Sequence, residues 1–128
     1  FLPTGKLDDH SRLTAAASEE AHRGEALFRR PMPAFDGGSC ATCHDPSTFF
    51  RDGRAHRLGS ERPPVPSALD DGQETPSLLG LAETAPYFHD GRYATLEALL
   101  DDNLDRMGQT SHLAADDRAA LLAFLRTL

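Results

Sequence analysis

The chain has 128 residues, a formal net charge of −7 and a hydrophobic fraction of 39%. This charge argues against a nucleic-acid binder, because proteins of that class present a basic surface to the phosphates. No membrane span is expected, since no apolar run approaches the roughly 18 residues that a spanning helix needs, and the length predicts one domain rather than several.

The first predicted element is a helix over residues 14–30, after an irregular lead-in over residues 1–13. Ser18 can cap its start, acidic side chains follow in the first turn, and Pro31 stops it. We assign residues 14–128 to a single domain. The apolar face of the helix contains a glycine, which permits close approach of a second helix. This face comprises Ala17, Ala21, Gly24 and Phe28.

Two loops rich in turn-forming residues follow this helix. Residues 31–39 contain two prolines and two glycines, and residues 46–74 contain a cluster of three prolines. A loop as long as the second one usually has a task in a compact domain or is disordered, and covering one face of a bound group would be such a task. Its arginine- and proline-rich part, residues 54–71, has no role that we can assign.

Three further helices are predicted in the C-terminal half. Thr75 followed by Pro76 indicates the cap and first residue of a short helix that ends near Ala82. Thr95 can cap the next helix, and the last one is predicted over residues 115–127. Their apolar stripes are Leu96, Leu99, Leu100 and Leu104, and then Leu121, Phe124, Leu125 and Leu128. Because no strand-like alternation is present, the predicted fold is all-α with long loops.

The motif that carries chemistry is Cys-Ala-Thr-Cys-His at residues 40–44, which has the C-x-x-C-H pattern of haem attachment. Each thiol can add across one vinyl group of haem, so that Cys40 and Cys43 would join the porphyrin to the backbone. His44 would then be the proximal ligand of the iron. A backbone carbonyl bound to its other ring nitrogen would set the orientation of the imidazole. We therefore predict one covalently bound haem c.

Three other uses of the cysteines were weighed against haem: a disulfide, a redox dithiol and half of a zinc site. A redox dithiol expects a βαβ context, which is missing. A zinc site needs more ligands, and the spacing of His56 and His89 from the motif matches no common zinc pattern. The motif uses both cysteines of the chain and follows an amphipathic helix, which favours haem. Since haem is attached covalently outside the cytoplasm, we expect a periplasmic or otherwise extracytoplasmic location.

The second axial ligand decides between electron transfer and catalysis. The only methionines are Met32 and Met107, and a methionine sulfur would fill the sixth position and raise the reduction potential. Met107 is separated from the motif by a longer stretch of chain than Met32, which allows it to reach the opposite face of the haem. We therefore favour Met107 as the second axial ligand. His112 is an alternative ligand. His89, beside two aromatic residues and a turn, is expected to be structural.

Beyond the motif, the chain resembles the C-terminal, high-potential haem domain of bacterial dihaem cytochrome c peroxidases from about residue 18 to residue 128. The most specific part is Thr-Ala-Pro-Tyr-Phe-His-Asp-Gly at residues 84–91. The resemblance also covers Gly-Glu-Ala-Leu-Phe at 24–28, the cysteine motif, Phe-Arg-Asp-Gly at 50–53 with His56 and Gly59, Thr-Pro-Ser-Leu at 75–78, Thr-Leu-Glu-Ala at 95–98, Met-Gly at 107–108 and the closing residues 121–128.

This resemblance implies a cytochrome c-like fold, in which the N- and C-terminal helices pack together around one haem. It also implies His44 as the proximal ligand and Met107 as the distal ligand. Related enzymes that oxidise protein side chains have tyrosine at the distal position, so Met107 argues against that activity. The expected function is electron transfer, in a free protein or in a domain of a larger redox enzyme, to a redox partner protein or to another domain of the same protein.

Several features depart from the family. The family has two haem domains and peroxide reacts at the other one, whereas this chain has a single C-x-x-C-H. The segment of residues 30–39 is longer than in many relatives, and Ala114 stands where serine or threonine often caps the last helix.

The alternative function is a small haem peroxidase or oxidase with a displaceable sixth ligand, for which His89 or Glu83 is the acid–base candidate. The first residue, Phe1, leaves open a processed form or an excised domain. By itself the chain is expected not to be an enzyme, but it could be part of a peroxidase-like or other oxidoreductase.

Overall fold

The structure is a computed structural model that describes residues 7–8, 12–32, 37–56, 73–88, 91–102 and 110–128. Within these residues it is mostly helical. The helices are α1 (Glu19–Arg29), α2 (Cys40–Cys43), α3 (Leu96–Asp102) and α4 (Ala115–Leu125), with short 3-10 turns at Pro46–Thr48 and Leu81–Glu83 and the strands β1 (Ala55–His56) and β2 (Gln73–Glu74).

The first helix begins where its capping residue predicted, although it is shorter than expected. The Ser18 side chain accepts a hydrogen bond of 3.1 Å from the backbone N–H of Ala21, which satisfies one of the free donors at the helix start. The helix ends at Arg29, where Arg30 turns into extended backbone ahead of Pro31. Residues 14–18 therefore belong to the lead-in.

The core is built on the crossing of α1 and α4, as the glycine on the apolar face predicted. A Cβ atom added to Gly24 would lie 1.9 Å from the carbonyl oxygen of Ala120, so the two backbones touch at this point. Beside the glycine, the rings of Phe28 and Phe124 pack with their centroids 5.1 Å apart. The predicted stripe of α4 is buried, since Leu121, Phe124, Leu125 and Leu128 are each less than 9% exposed.

Helices α3 and α4 also match their predicted positions. The Thr95 side chain accepts a hydrogen bond of 3.1 Å from the N–H of Ala98 and so caps α3, whose Leu96 and Leu100 are buried. Leu104, the last member of the predicted stripe, lies outside the described residues. Ala114 stands at the cap of α4 and makes no side-chain hydrogen bond there.

The helix predicted from Thr75 to Ala82 is wrong. Thr75 is buried, and its N–H donates to the carbonyl of Arg54 at 3.1 Å instead of starting a helix. The Ser77 hydroxyl donates to the carbonyl of Phe49. These bonds to a distant loop outweigh the local capping signal, and only the 3-10 turn Leu81–Glu83 remains of the expected helix.

A pair of two-residue strands replaces part of the loop predicted over residues 46–74. The strands β1 and β2 are antiparallel, with Ala55 opposite Glu74 and His56 opposite Gln73. Strands this short carry no detectable alternation, which is why the sequence did not indicate them. No helix in the described part of the chain is long and apolar enough to cross a membrane.

Candidate haem site

Both cysteines of the motif lie on the short helix α2, which follows the loop over residues 31–39. Helix α2 consists of the four residues Cys40–Cys43, and the Thr42 hydroxyl accepts a hydrogen bond of 2.8 Å from the N–H of Ser39. The N–H of His44 donates to the carbonyl of Cys40 at 2.9 Å. The helical turn therefore holds the two sulfur positions and the imidazole together as one unit.

The orientation of the His44 ring is set by a backbone carbonyl, as the sequence analysis anticipated. Its Nδ1 lies 3.1 Å from the carbonyl oxygen of Phe50. Because a carbonyl only accepts, Nδ1 must carry the proton, and Nε2 is then the nitrogen with the lone pair suited to a metal. A ligating histidine characteristically donates its other N–H in this way.

The acceptor carbonyl belongs to a tightly bonded loop. The N–H of Phe50 donates to the carbonyl of Asp45 at 2.7 Å, and Phe49 and Phe50 both adopt left-handed backbone conformations, with φ of 60° and 62°. The Phe50 ring is fully buried and meets the edge of Phe28 with a centroid distance of 6.2 Å. The carbonyl that orients His44 is thus anchored to the helical core.

The two thiols do not form a disulfide with each other, and the pKa of each is raised. Burial raises the pKa of the Cys40 thiol to about 11. Burial is also the main reason why the pKa of Cys43 is raised, and the negative charge and hydrogen bond of Asp52 raise it further. Redox-active C-x-x-C thiols have lowered pKa values instead, so the raised pKa values argue against a redox dithiol.

A cavity of about 340 Å³ opens beside Cys40. Its wall is apolar, as a porphyrin ring requires, except for Arg30, Thr110 and His112. The wall comprises Leu27, Arg30, Pro31, Met32, Cys40, Thr110, His112, Leu113 and Leu121. The apolar lining and the adjacent Cys40 thiol fit part of a covalently bound haem, whereas Cys43 and His44 are not among the residues of the cavity wall.

Two of the four candidates for the sixth ligand lie at the cavity, and the structure does not describe the other two. Met32 and His112 line the cavity, and the backbone of Met32 is tied to the interhelical loop through hydrogen bonds with Gly37 and Gly38. Met107 and His89 lie outside the described residues. Met107 therefore stays a prediction, and the structure makes Met32 and His112 more serious competitors than the sequence indicated.

Other candidate roles find less support. Glu83, proposed as an acid–base group, is exposed on a 3-10 turn and is not part of the cavity wall. Among the described residues there is no group of three or more His, Cys, Asp or Glu side chains able to hold a metal ion. The sequence does not indicate Phe50 as the acceptor for His44 or Asp52 as the partner of Cys43, because both contacts depend on the path of an irregular loop.

Comparison with protein-family models gives a match to the model described as di-haem cytochrome c peroxidase over residues 18–126. The chain is similar to the methylamine utilization protein MauG of Methylorubrum extorquens, with 36% identity over 90 residues that cover 70% of this chain and 24% of that protein. Against MauG of Paracoccus denitrificans the identity is 38% over 103 residues, which cover 69% of this chain and 25% of that protein.

Among solved structures, the chain is similar to a MauG-like protein associated with microbial copper homeostasis. The TM-score is 0.62 with 25% sequence identity, and the match covers 97% of this chain and 50% of that chain. The present chain thus spans about a quarter of the length of the curated relatives it matches and half of the solved structure.

Proposed function

The chain belongs to the di-haem cytochrome c peroxidase family, and from this premise we propose that it is an electron-transfer domain with one covalently attached haem c. In the proposal, Cys40 and Cys43 form the thioether bonds and His44 is the proximal ligand. The observation that carries the proposal is the hydrogen bond from His44 Nδ1 to the Phe50 carbonyl, which presents Nε2 for coordination at the end of a C-x-x-C-H motif.

When bound, haem would supply reversible one-electron chemistry at its iron. The contribution of the polypeptide is to hold that iron in a fixed environment. The Phe50 carbonyl keeps the imidazole in one tautomer and strengthens it as a ligand. The leucines that line the cavity beside Cys40 would exclude water from a porphyrin bound there, which would limit the change in solvation when the charge of the site changes.

We assign the distal position to Met107 on the resemblance to the high-potential haem domain. A methionine sulfur would fill the sixth coordination position of the iron and leave no open position for a substrate. Such a site suits electron transfer rather than peroxide chemistry. The family has a second haem for that chemistry, and the single C-x-x-C-H of this chain provides the electron-transferring haem alone. The second haem would belong to another domain or to a partner. A periplasmic or other extracytoplasmic location follows from the covalent attachment.

The visible spectrum of the oxidised holoprotein tests this function. We expect a low-spin spectrum with the far-red band of methionine bound to iron, and we expect Met107→Ala to abolish this band and to lower the reduction potential. Met32→Ala and His112→Ala are the matched controls, because both residues line the cavity, and both variants should keep the band.

Two results would contradict the assignment. Loss of the band in Met32→Ala, with Met107→Ala unchanged, would move the distal ligand to Met32. A high-spin spectrum of the wild type that shifts on addition of peroxide would favour the catalytic alternative, in which the sixth ligand is displaceable.

A further inference from the structure

The peptide unit between Phe49 and Phe50 is held by hydrogen bonds at both of its polar groups. Its carbonyl oxygen, which belongs to Phe49, accepts a hydrogen bond of 2.5 Å from the Ser77 hydroxyl. Its N–H, which belongs to Phe50, donates to the carbonyl of Asp45 at 2.7 Å. The next carbonyl along the chain is that of Phe50, which accepts from His44 Nδ1. The two bonds therefore fix the peptide plane that precedes the carbonyl on which the imidazole depends.

The backbone of this turn needs such support because its conformation is strained. Phe49 and Phe50 have φ of 60° and 62°, in the left-handed region that side chains with a Cβ atom rarely occupy. Such conformations persist where the surrounding structure fixes them. The buried ring of Phe50 packs against Phe28, but the ring of Phe49 is 64% exposed. The conformation of Phe49 therefore depends on the hydrogen bonds of its peptide groups rather than on its side chain.

The bond from Ser77 differs from the other bonds of the turn in its distance along the chain. The carbonyl of Asp45 accepts from the N–H of Thr48 at 3.1 Å, and the Thr48 hydroxyl donates to the carbonyl of Arg51. These contacts join near neighbours in the sequence. Ser77, in contrast, lies 28 residues from Phe49. Its hydroxyl therefore ties the turn to a separate segment of the fold, which local bonds cannot do.

The Ser77 hydroxyl is itself held in one direction. The N–H of Thr75 donates to the carbonyl of Arg54 at 3.1 Å and so continues the pairing of β1 with β2 towards Ser77. The Ser77 oxygen accepts a hydrogen bond of 3.2 Å from the N–H of Leu79. Because the Phe49 carbonyl only accepts, the hydroxyl proton must point towards it while the oxygen receives the N–H. Both bonding functions of the hydroxyl are thus in use.

We propose that Ser77 is a positioning residue for His44, because its hydroxyl holds the turn in the conformation in which the Phe50 carbonyl accepts the Nδ1 proton. It acts on the imidazole through the peptide unit between Phe49 and Phe50. The inference rests on the proposed function, since it concerns the proximal ligand of the haem. A ligating imidazole whose N–H is firmly bonded is the more basic ligand and favours ferric iron.

Two substitutions at Ser77 and one control separate this role from a general effect of the loop. Ser77→Ala removes the hydroxyl, whereas Ser77→Thr keeps it and adds a methyl group at an exposed position. The control is Ser47→Ala. It also removes a serine hydroxyl from beside the turn, but that hydroxyl bonds to the carboxylate of Asp45, at 2.7 Å, and not to the backbone of the turn.

The test uses two measurements on the haem-loaded protein. NMR spectroscopy of the reduced protein follows the exchange of the His44 Nδ1 proton with solvent, which reports how often its bond to the Phe50 carbonyl opens. Redox titration gives the reduction potential, which responds to the basicity of the imidazole. A residue that supported only the stability of the fold would change neither the exchange of this one proton selectively nor the potential.

We expect the Nδ1 proton to exchange about threefold to tenfold faster in Ser77→Ala, because one hydrogen bond that holds its acceptor is lost. The reduction potential should rise, since a less firmly bonded imidazole gives less electron density to ferric iron. Ser77→Thr should restore the exchange rate and the potential of the wild type. Ser47→Ala should leave both unchanged.

The proposal is overturned if Ser77→Ala keeps the exchange rate and the potential of the wild type, or if Ser47→Ala changes them equally. Failure of Ser77→Thr to restore the two values would also count against it, because the hydroxyl would then not be the acting group. Failure of the proposed function is a separate result. Wild-type iron that reacts with peroxide would contradict electron transfer, while the exchange rates would still decide the role of Ser77.

Discussion

At the scale of single residues, Phe49 and Phe50 are a natural matched pair. The two neighbours share the same side chain and nearly the same backbone conformation, but Phe50 is fully buried and Phe49 is 64% exposed. We expect Phe50→Ala to lower the free energy of unfolding by about 3–5 kcal/mol, because it leaves a cavity against Phe28.

For Phe49→Ala we expect a change within about 0.5 kcal/mol, as for most surface substitutions. Urea denaturation followed by circular dichroism measures both values. Similar losses in the two variants would mean that the exposed ring contributes to folding as much as the buried one does.

The sequence indicates which residues of the candidate site are neighbours along the chain, but not which loop groups contact them. The C-x-x-C-H motif places Cys40, Cys43 and His44 together because they are adjacent on one helical turn. The need for a carbonyl to orient the histidine follows from general chemistry. General chemistry does not predict which carbonyl this is, because that depends on the left-handed turn at Phe49 and Phe50. Left-handed turns are usually indicated by glycine, and neither of these two positions is glycine.

At the scale of secondary structure elements, the crossing of α1 and α4 at Gly24 controls the core. A methyl group at this position would collide with the carbonyl oxygen of Ala120, which belongs to the backbone and has little room to move. We expect Gly24→Ala to lower the free energy of unfolding by about 2 kcal/mol or more, despite the better helix propensity of alanine.

The control for this substitution is Ala26→Val, which adds methyl groups on the exposed side of the same helix. It should lower the free energy of unfolding by only about 0.5 kcal/mol, through helix propensity. Chemical denaturation measures the difference, and a Gly24→Ala protein as stable as the wild type would show that the helices do not cross so closely.

The start of α4 offers a stabilising substitution. Ala114 has the extended backbone of a capping residue but no side chain that can accept a hydrogen bond. Ala114→Ser should raise the free energy of unfolding by about 1 kcal/mol, because the hydroxyl can accept from a free N–H of the first turn.

Ala119→Ser is the control, since residue 119 is exposed in the middle of the helix, where serine is expected to cost about 0.5 kcal/mol. Thermal unfolding under one set of conditions compares the two variants. A loss of stability in Ala114→Ser would contradict the assignment of the cap.

Local signals predicted the elements that depend on local contacts. Ser18 and Thr95 cap helices where the sequence placed them, and the apolar stripe of α4 is buried. The signal at Thr75 and Pro76 failed, because the polar groups of that segment bond to the loop that contains Phe49 and Arg54. Such long-range hydrogen bonds cannot be read from a capping pattern, and neither can the two-residue strands.

At the scale of the whole molecule, the chain combines a small helical core with a lean supply of hydrophobic residues. The core of α1 and α4 lies beside the apolar cavity at Cys40, since Leu121 of α4 contributes to the cavity wall. A bound porphyrin would therefore extend the core and bury further apolar surface.

The central claim is that one haem is bonded to this polypeptide through Cys40 and Cys43. The most direct test is the intact mass of the denatured protein, produced in cells that mature c-type cytochromes. We expect the mass of the 13.9 kDa chain plus one haem, and the mass of the bare chain for Cys40→Ala/Cys43→Ala. A wild-type protein with the mass of the bare polypeptide would contradict the account.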